Sequence, residues 1–225
     1  MDQLKSKVLS QSAIFIIVMA ILIFLPAWTI NFLQAWIYLL IFSGWVFFID
    51  FYFLKKDRAL LERRMKAGAA NEKEKSQKII QSVASICFIS LYVVSGFDYH
   101  FRWSQVPIYL IIVSDVLVFI GFLIIFFVFK ENSFTSGIIE IDQEQKLIDT
   151  GPYALVRHPM YSGALLMILF SALALESYWA LIAAFLLTIM IVIRLLDEEK
   201  FLGLNLPGYN EYRNKVRYRL IPGIW

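Results

Sequence analysis

Between Gly151 and Gly163 the chain reads Gly-Pro-Tyr-Ala-Leu-Val-Arg-His-Pro-Met-Tyr-Ser-Gly. Tyr153, Arg157, His158 and Tyr161 are thereby set between strongly hydrophobic stretches, where polar side chains are costly and are kept for a purpose. Pro159 suits the first turn of a helix, because its missing N–H has no partner there anyway. Arg157 and His158 then stand at a helix entrance, beside free backbone N–H groups and the positive end of the helix dipole. Such an entrance can hold an anion or the carboxylate of a cofactor. Tyr161 adds a ring and a hydroxyl, and Gly163 allows close approach. A second polar cluster, Arg194 with Asp197-Glu198-Glu199, closes the next apolar span. Arg194 and Glu198 share a helix face. Alone, that pair reads equally well in two ways: as a boundary ion pair worth about 0.3–0.5 kcal/mol, or as a positive group for an anionic substrate beside a carboxylate for a ribose or amine. Two membrane helices back to back bring both clusters together as one site.

The elements that must position these residues follow from composition. Of 225 residues, 60% are hydrophobic, 16% aromatic and 17% charged, and the mean hydropathy is +0.68. These values point to an all-α, polytopic integral membrane protein. A bilayer core takes roughly 20 apolar residues in a helix. The candidate spans are Val8–Trp28, Phe32–Leu54, Ile79–Phe97, Pro107–Phe129, Pro159–Leu175 and Tyr178–Leu196, which gives five to six transmembrane helices, the fifth being short. The run from Val8 continues to Ile30 without a small-residue cleavage site, so it reads as a retained first helix.

Nine Lys/Arg lie between Lys55 and Lys78, and between Asp98 and Val106 there is only Arg102. By the positive-inside rule the basic loop, both termini and both polar clusters face the cytoplasm, so the cofactor pocket opens there. Isoleucines 138, 139 and 141 interrupt the polar segment from Glu131 to Thr150 and suggest a short strand-like or extended piece. The tail from Pro207 to Trp225 mixes aromatic and basic residues, as suits a segment lying at headgroups or folding over a site. The chain divides into 1–130, with four N-terminal spans, and 131–225, holding the polar clusters, within a single membrane domain of 1–225.

Other chemistries find little to build on. There is no Gly-rich phosphate loop. Two His and one Cys leave no basis for a metal site, and lone Cys87 reads as a small apolar-run residue. The charge of +3 does not argue for a nucleic-acid partner. Ser162 lies near His158, but no nucleophile elbow surrounds it. Asp115, inside the fourth span, is a candidate for lining a cavity, whereas Asp50 reads as boundary chemistry.

At these residues the chain resembles the isoprenylcysteine carboxyl methyltransferase family and the related phospholipid methyltransferases. The resemblance runs from Glu131 to Trp225. It is carried by Glu131-Asn132-Ser133, Gln145-Lys146-Leu147-Ile148, Gly151-Pro152-Tyr153, Arg157-His158-Pro159-x-Tyr161-x-Gly163, Glu198-Glu199, Tyr209-x-x-Tyr212 and Arg219-Leu220-Ile221-Pro222. The half from Met1 to Lys130 matches only as hydrophobic spans. The resemblance implies S-adenosylmethionine as cofactor and a lipid-like or prenylated methyl acceptor arriving from the bilayer. It implies cofactor contacts from Gln145, Lys146, Leu147, Ile148, Tyr153, His158, Pro159, Met160, Tyr161 and Glu198. Arg194 is implied to meet the substrate carboxylate, and Glu199 or Asp115 is the acid available should an amine acceptor need deprotonation. A carboxylate nucleophile needs no general base, so O-methylation of an isoprenylcysteine-type carboxylate is the expectation. NADPH-dependent membrane reductases of sterols share an Arg-His-Pro-x-Tyr segment and stand as the alternative. This chain lacks the Arg-Asp pair and the Cys and Lys that accompany it in those enzymes.

Overall fold

The computed structural model describes residues 3–141 and 145–225; Asp142, Gln143 and Glu144 of the polar segment lie outside the described residues. The apolar runs form helices, as they must where no water satisfies backbone N–H and C=O groups. In chain order these are α1 (Gln3–Ala27), α2 (Leu33–Lys56), the short α3 (Arg58–Arg64), α4 (Lys75–Phe101), α5 (Ile108–Glu131), α6 (Pro159–Ala174), α7 (Ala180–Asn205) and α8 (Tyr209–Lys215). Five of them, α1, α2, α4, α5 and α7, are long and apolar enough to cross a membrane. Their outward faces carry large exposed apolar residues such as Ile17, Leu40, Ile112 and Phe185, a surface suited to lipid rather than water.

α6 has 16 residues and so a length of about 24 Å. It nevertheless reaches the far end of the bundle. Ser177, just past its end, donates to Asp98 of α4 at 2.5 Å, and the Tyr178 N–H donates to Ser104 at 3.0 Å. Left-handed backbone at Trp28, Arg102 and Glu176 closes α1, α4 and α6 at this same end. Six helices therefore traverse the bundle, and the start of α1, the basic loop, both polar clusters and the tail all gather at the opposite end.

Packing is closest between α5 and α6. A Cβ on Gly163 would lie 2.8 Å from the Gly121 carbonyl oxygen, and one on Gly121 would lie 2.7 Å from the Gly163 carbonyl oxygen. Two facing glycines are what allow the backbones to touch, as small residues do between membrane helices. Deeper in the bundle, the buried Tyr38 hydroxyl bonds to Tyr92 at 2.9 Å and to Ser171 at 2.8 Å, knitting α2, α4 and α6. Hydroxyls there have no water to turn to, so each finds another.

Around Ile138, Ile139 and Ile141, where a strand-like or extended piece is expected, the described residues form no strand. No neighbouring strand among the described residues is there to pair with this piece. Instead α3 supplies the donors. Arg63 donates to the Ser133 carbonyl at 3.0 Å and Arg64 to the Ser136 carbonyl at 2.7 Å. Gly137 fits against Ala67, where a Cβ would lie 2.5 Å from its Cα.

Candidate active site

The entrance of α6 is where the local sequence and the fold meet. Gly151 takes φ +56° and starts a single 3-10 turn, Gly151–Ala154, with Pro152 at its second position. The turn brings Tyr153 under the tail, where its hydroxyl accepts from Asn132 at 3.0 Å and its carbonyl accepts from Tyr212 at 2.7 Å. Burial raises the pKa of Tyr153, Tyr209 and Tyr212 above the usual phenol value, so these hydroxyls stay protonated and can donate. Pro159 opens α6, and His158 precedes it as the N-cap without a side-chain cap.

Behind that entrance lies a buried ionic cluster. Both oxygens of Glu199 are engaged: Oε1 meets Arg157 Nε at 2.7 Å and His158 Nε2 at 3.3 Å, and Oε2 meets Arg219 Nε at 2.8 Å. Arg157 also donates to the Val216 and Arg217 carbonyls, each at 3.0 Å. The backbone N–H groups of Arg157 and His158 donate to the Tyr218 and Arg219 carbonyls at 2.9 Å. Ser162 donates to the Leu220 carbonyl at 2.7 Å, so its hydroxyl ties down the tail and does not face the imidazole. The tail thus folds over the site, clamped by α6 and α7 together.

In front of the cluster is a cavity roofed by α8 and walled by residues from 132–140 and 145–148, the α6 entrance and the end of α7. All ten residues expected at the cofactor line it: Gln145, Lys146, Leu147, Ile148, Tyr153, His158, Pro159, Met160, Tyr161 and Glu198. Arg194 lines it as well. Glu199, expected to be a base, does not: its carboxylate is turned into the ionic cluster. Tyr161 donates to Glu198 at 2.5 Å, which fixes that carboxylate at the cavity wall. Two further lining residues, Thr135 and Tyr209, carry buried hydroxyls with no partner among the described residues.

Arg194 and Glu198 do share the cavity, but the ion pair of Arg194 is made elsewhere. Its Nη1 lies 2.6 Å from the carboxylate of Glu72, which is almost fully buried, and donates to Gln77 at 3.0 Å. The acid comes from the basic loop, which therefore forms part of the site. Glu72, Arg64 and Thr135 had no recognisable sequence signal as lining or ion-pair groups, whereas Tyr209 stood in the Tyr209-x-x-Tyr212 motif of the tail. Asp115 lines neither this cavity nor the one next to it, and Asp50 accepts from Ser12 at 2.6 Å.

That second cavity, of about 340 Å³, lies among α4, α5, α6 and α7. α4 packs on α1 and α7, and α5 on α6; the space between these pairs is lined mainly by apolar side chains, including Phe88, Ile125, Leu187 and Ile191. Ser136, Met160, Tyr161 and Arg194 line both cavities and form the wall between them.

One cavity with convergent polar groups and one lined mainly by apolar side chains thus meet at a shared wall inside the helical bundle. The phospholipid methyltransferase family model matches residues 109–205, from α5 through α7. The match supports a membrane methyltransferase, and it contains the α6 entrance, Arg194, Glu198 and Glu199. No curated protein matches the chain.

Proposed function

We propose that the chain transfers a methyl group from S-adenosylmethionine to a carboxylate on a lipid-like acceptor, of the isoprenylcysteine type, at the cytoplasmic side of the membrane. The observation that carries this reading is the convergence of all ten expected cofactor residues on one cavity that shares a wall with an apolar one.

The chemistry of the donor set suits the cofactor. Glu198 offers a carboxylate to a ribose diol or an ammonium group, and Leu147, Ile148, Leu202 and Leu206 offer an apolar face to a purine. Thr135 and Tyr209 offer hydroxyls that lack partners. When bound, S-adenosylmethionine supplies a methyl group already activated by its sulfonium. The protein's part is then alignment and exclusion of water. Tyr161 and Met160, in the shared wall, border both ligands. Glu199 holds Arg157, His158 and the tail in place, so it is a positioning residue. A carboxylate acceptor needs no base, in keeping with an acid whose two oxygens are already engaged.

The test is calorimetric binding of S-adenosylmethionine, S-adenosylhomocysteine and NADPH to the purified protein in nanodiscs. Binding of the two adenosyl compounds, with loss in Glu198→Ala and His158→Ala, is the expected result. Binding of NADPH alone would overturn the reading and make the same pocket a hydride-transfer site.

A further inference from the structure

The apolar cavity has two cations at the end where it meets the polar one, Arg64 from α3 and Arg194 from α7. They differ in what already holds them. Arg194 is neutralised by Glu72 at 2.6 Å and further held by Gln77 and the Gly137 carbonyl. Arg64 has no carboxylate within ion-pair distance among the described residues. Only its Nη1 is engaged, donating to the Ser136 carbonyl at 2.7 Å and reaching the Met160 sulfur at 3.6 Å. Its guanidinium stands 5.2 Å from the centre of the Phe129 ring. Nε and Nη2 make no bond to the described residues. Glu198, the other acid at this end, is bonded to Tyr161 and lines only the polar cavity.

A planar fork of donors with no ion-pair partner among the described residues, seated where an apolar cavity ends, suits a carboxylate on an apolar tail. Burial lowers the pKa of Arg64 below the ordinary arginine value and the Arg194 charge adds to this, while Tyr161, Glu198 and Tyr153 offset part of the shift. A bound anion would relieve both costs.

Building on the methyltransferase reading, we propose that Arg64, rather than Arg194, receives the anionic group of the methyl acceptor and sets the preference for an acid. Arg194 and Glu72 form a neutral strut that fixes the basic loop to α7. The acceptor's tail lies along the apolar cavity, and its carboxylate reaches Arg64 beside Met160 and Tyr161, at the wall facing the cofactor.

The experiment measures binding of N-acetyl-S-farnesylcysteine and of its uncharged carboxamide to the protein in nanodiscs. The wild type should favour the acid by roughly tenfold or more. Arg64→Gln should erase that preference without changing affinity for S-adenosylhomocysteine, which also reports that the variant is folded. Arg64→Lys should restore part of the preference. The double variant Glu72→Gln/Arg194→Gln, which removes the strut as a neutral unit, should keep it. Absence of acid preference in the wild type, its survival in Arg64→Gln, or its loss only in the double variant would overturn the proposal. Failure of the wild type to bind S-adenosylhomocysteine would sink the methyltransferase reading, while the acid–amide comparison would still decide the role of Arg64.

Discussion

Replacing Glu199 by Gln separates a structural strut from a chemical base. The carboxylate faces three cationic or potentially cationic groups at 2.7, 2.8 and 3.3 Å. The side chains of Arg157 and Glu199 are each only 5% exposed. Removing one partner of such a buried pair costs about 3–5 kcal/mol, because a desolvated charge is left uncompensated. Arg219, 30% exposed, adds little, since exposed pairs are worth about 0–1 kcal/mol. Arg157 keeps its bonds to the Val216 and Arg217 carbonyls, and the glutamine retains one acceptor oxygen. The low end, about 3 kcal/mol, is therefore expected. At about 2–4 °C per kcal/mol for a chain of this length, the unfolding midpoint should fall by about 6–12 °C. The assay is thermal unfolding in nanodiscs followed by tryptophan fluorescence, with methyl transfer and S-adenosylhomocysteine binding measured well below the midpoint. A variant that unfolds within about 2 °C of wild type and binds the cofactor product normally, yet transfers no methyl group, would refute the strut and restore Glu199 as a base.

Other perturbations address the cavity and the scaffold. Tyr161→Phe removes the donor that fixes Glu198 at 2.5 Å. A charge-assisted bond of this kind is worth about 1.5–3 kcal/mol, so calorimetry should show about a tenfold weaker affinity for S-adenosylhomocysteine; unchanged affinity would detach Glu198 from cofactor binding. Gly163→Leu forces apart α5 and α6, whose backbones approach so closely that an added Cβ would sit 2.8 Å from the Gly121 carbonyl oxygen. Overpacking costs about 1–3 kcal/mol, and the midpoint of unfolding should drop accordingly; a wild-type midpoint would mean that this contact opens freely.

The helices were legible because their signal is local. A run such as Ile108–Glu131 can be only a buried or membrane-spanning helix, whatever it packs against. α6 was legible as a short span, but only tertiary contacts at Ser177 and Tyr178 reveal that 16 residues suffice to cross the bundle. At the site, the residues carried by the Arg157–Gly163 stretch and by Glu198 were readable because they are closely spaced and out of character with their apolar surroundings. Glu72 and Arg64 were not. Both sit in a loop whose charges already have a sufficient explanation in membrane orientation. Nothing in their local pattern distinguishes the arginine that lines a cavity from its neighbour Arg63, which binds the Ser133 carbonyl. The strand-like expectation at Ile138–Ile141 failed for a related reason. Its apolar residues are there, but the backbone bonds to side chains instead of a strand: Ile138 N–H donates to Ser136 Oγ and Ile139 N–H to the Glu72 carboxylate, each at 3.4 Å.

The wall between the two cavities is where the proposed chemistry is most constrained. Its four residues come from three separate elements: Ser136 from the irregular segment, Met160 and Tyr161 from the first turn of α6, and Arg194 from α7. None of these elements can shift alone. α6 is locked to α5 through facing glycines, its entrance is tied to the tail by backbone bonds, and α7 is tied to the basic loop through Arg194 and Glu72. In the proposed reaction a water-soluble donor and a bilayer-borne acceptor would approach from different phases, and a rigid frame with a thin wall of side chains suits bringing them into line. Within that wall Met160 is the adaptable member, an unbranched thioether with freely rotating bonds. Tyr161 is the fixed one, held by its bond to Glu198. Alignment therefore rests on Tyr161 and its support, and passage between the cavities on Met160. A change at the first should lower turnover together with cofactor affinity. A change at the second, which borders both cavities, should alter which acceptors are accepted and cost less cofactor affinity than a change at Tyr161.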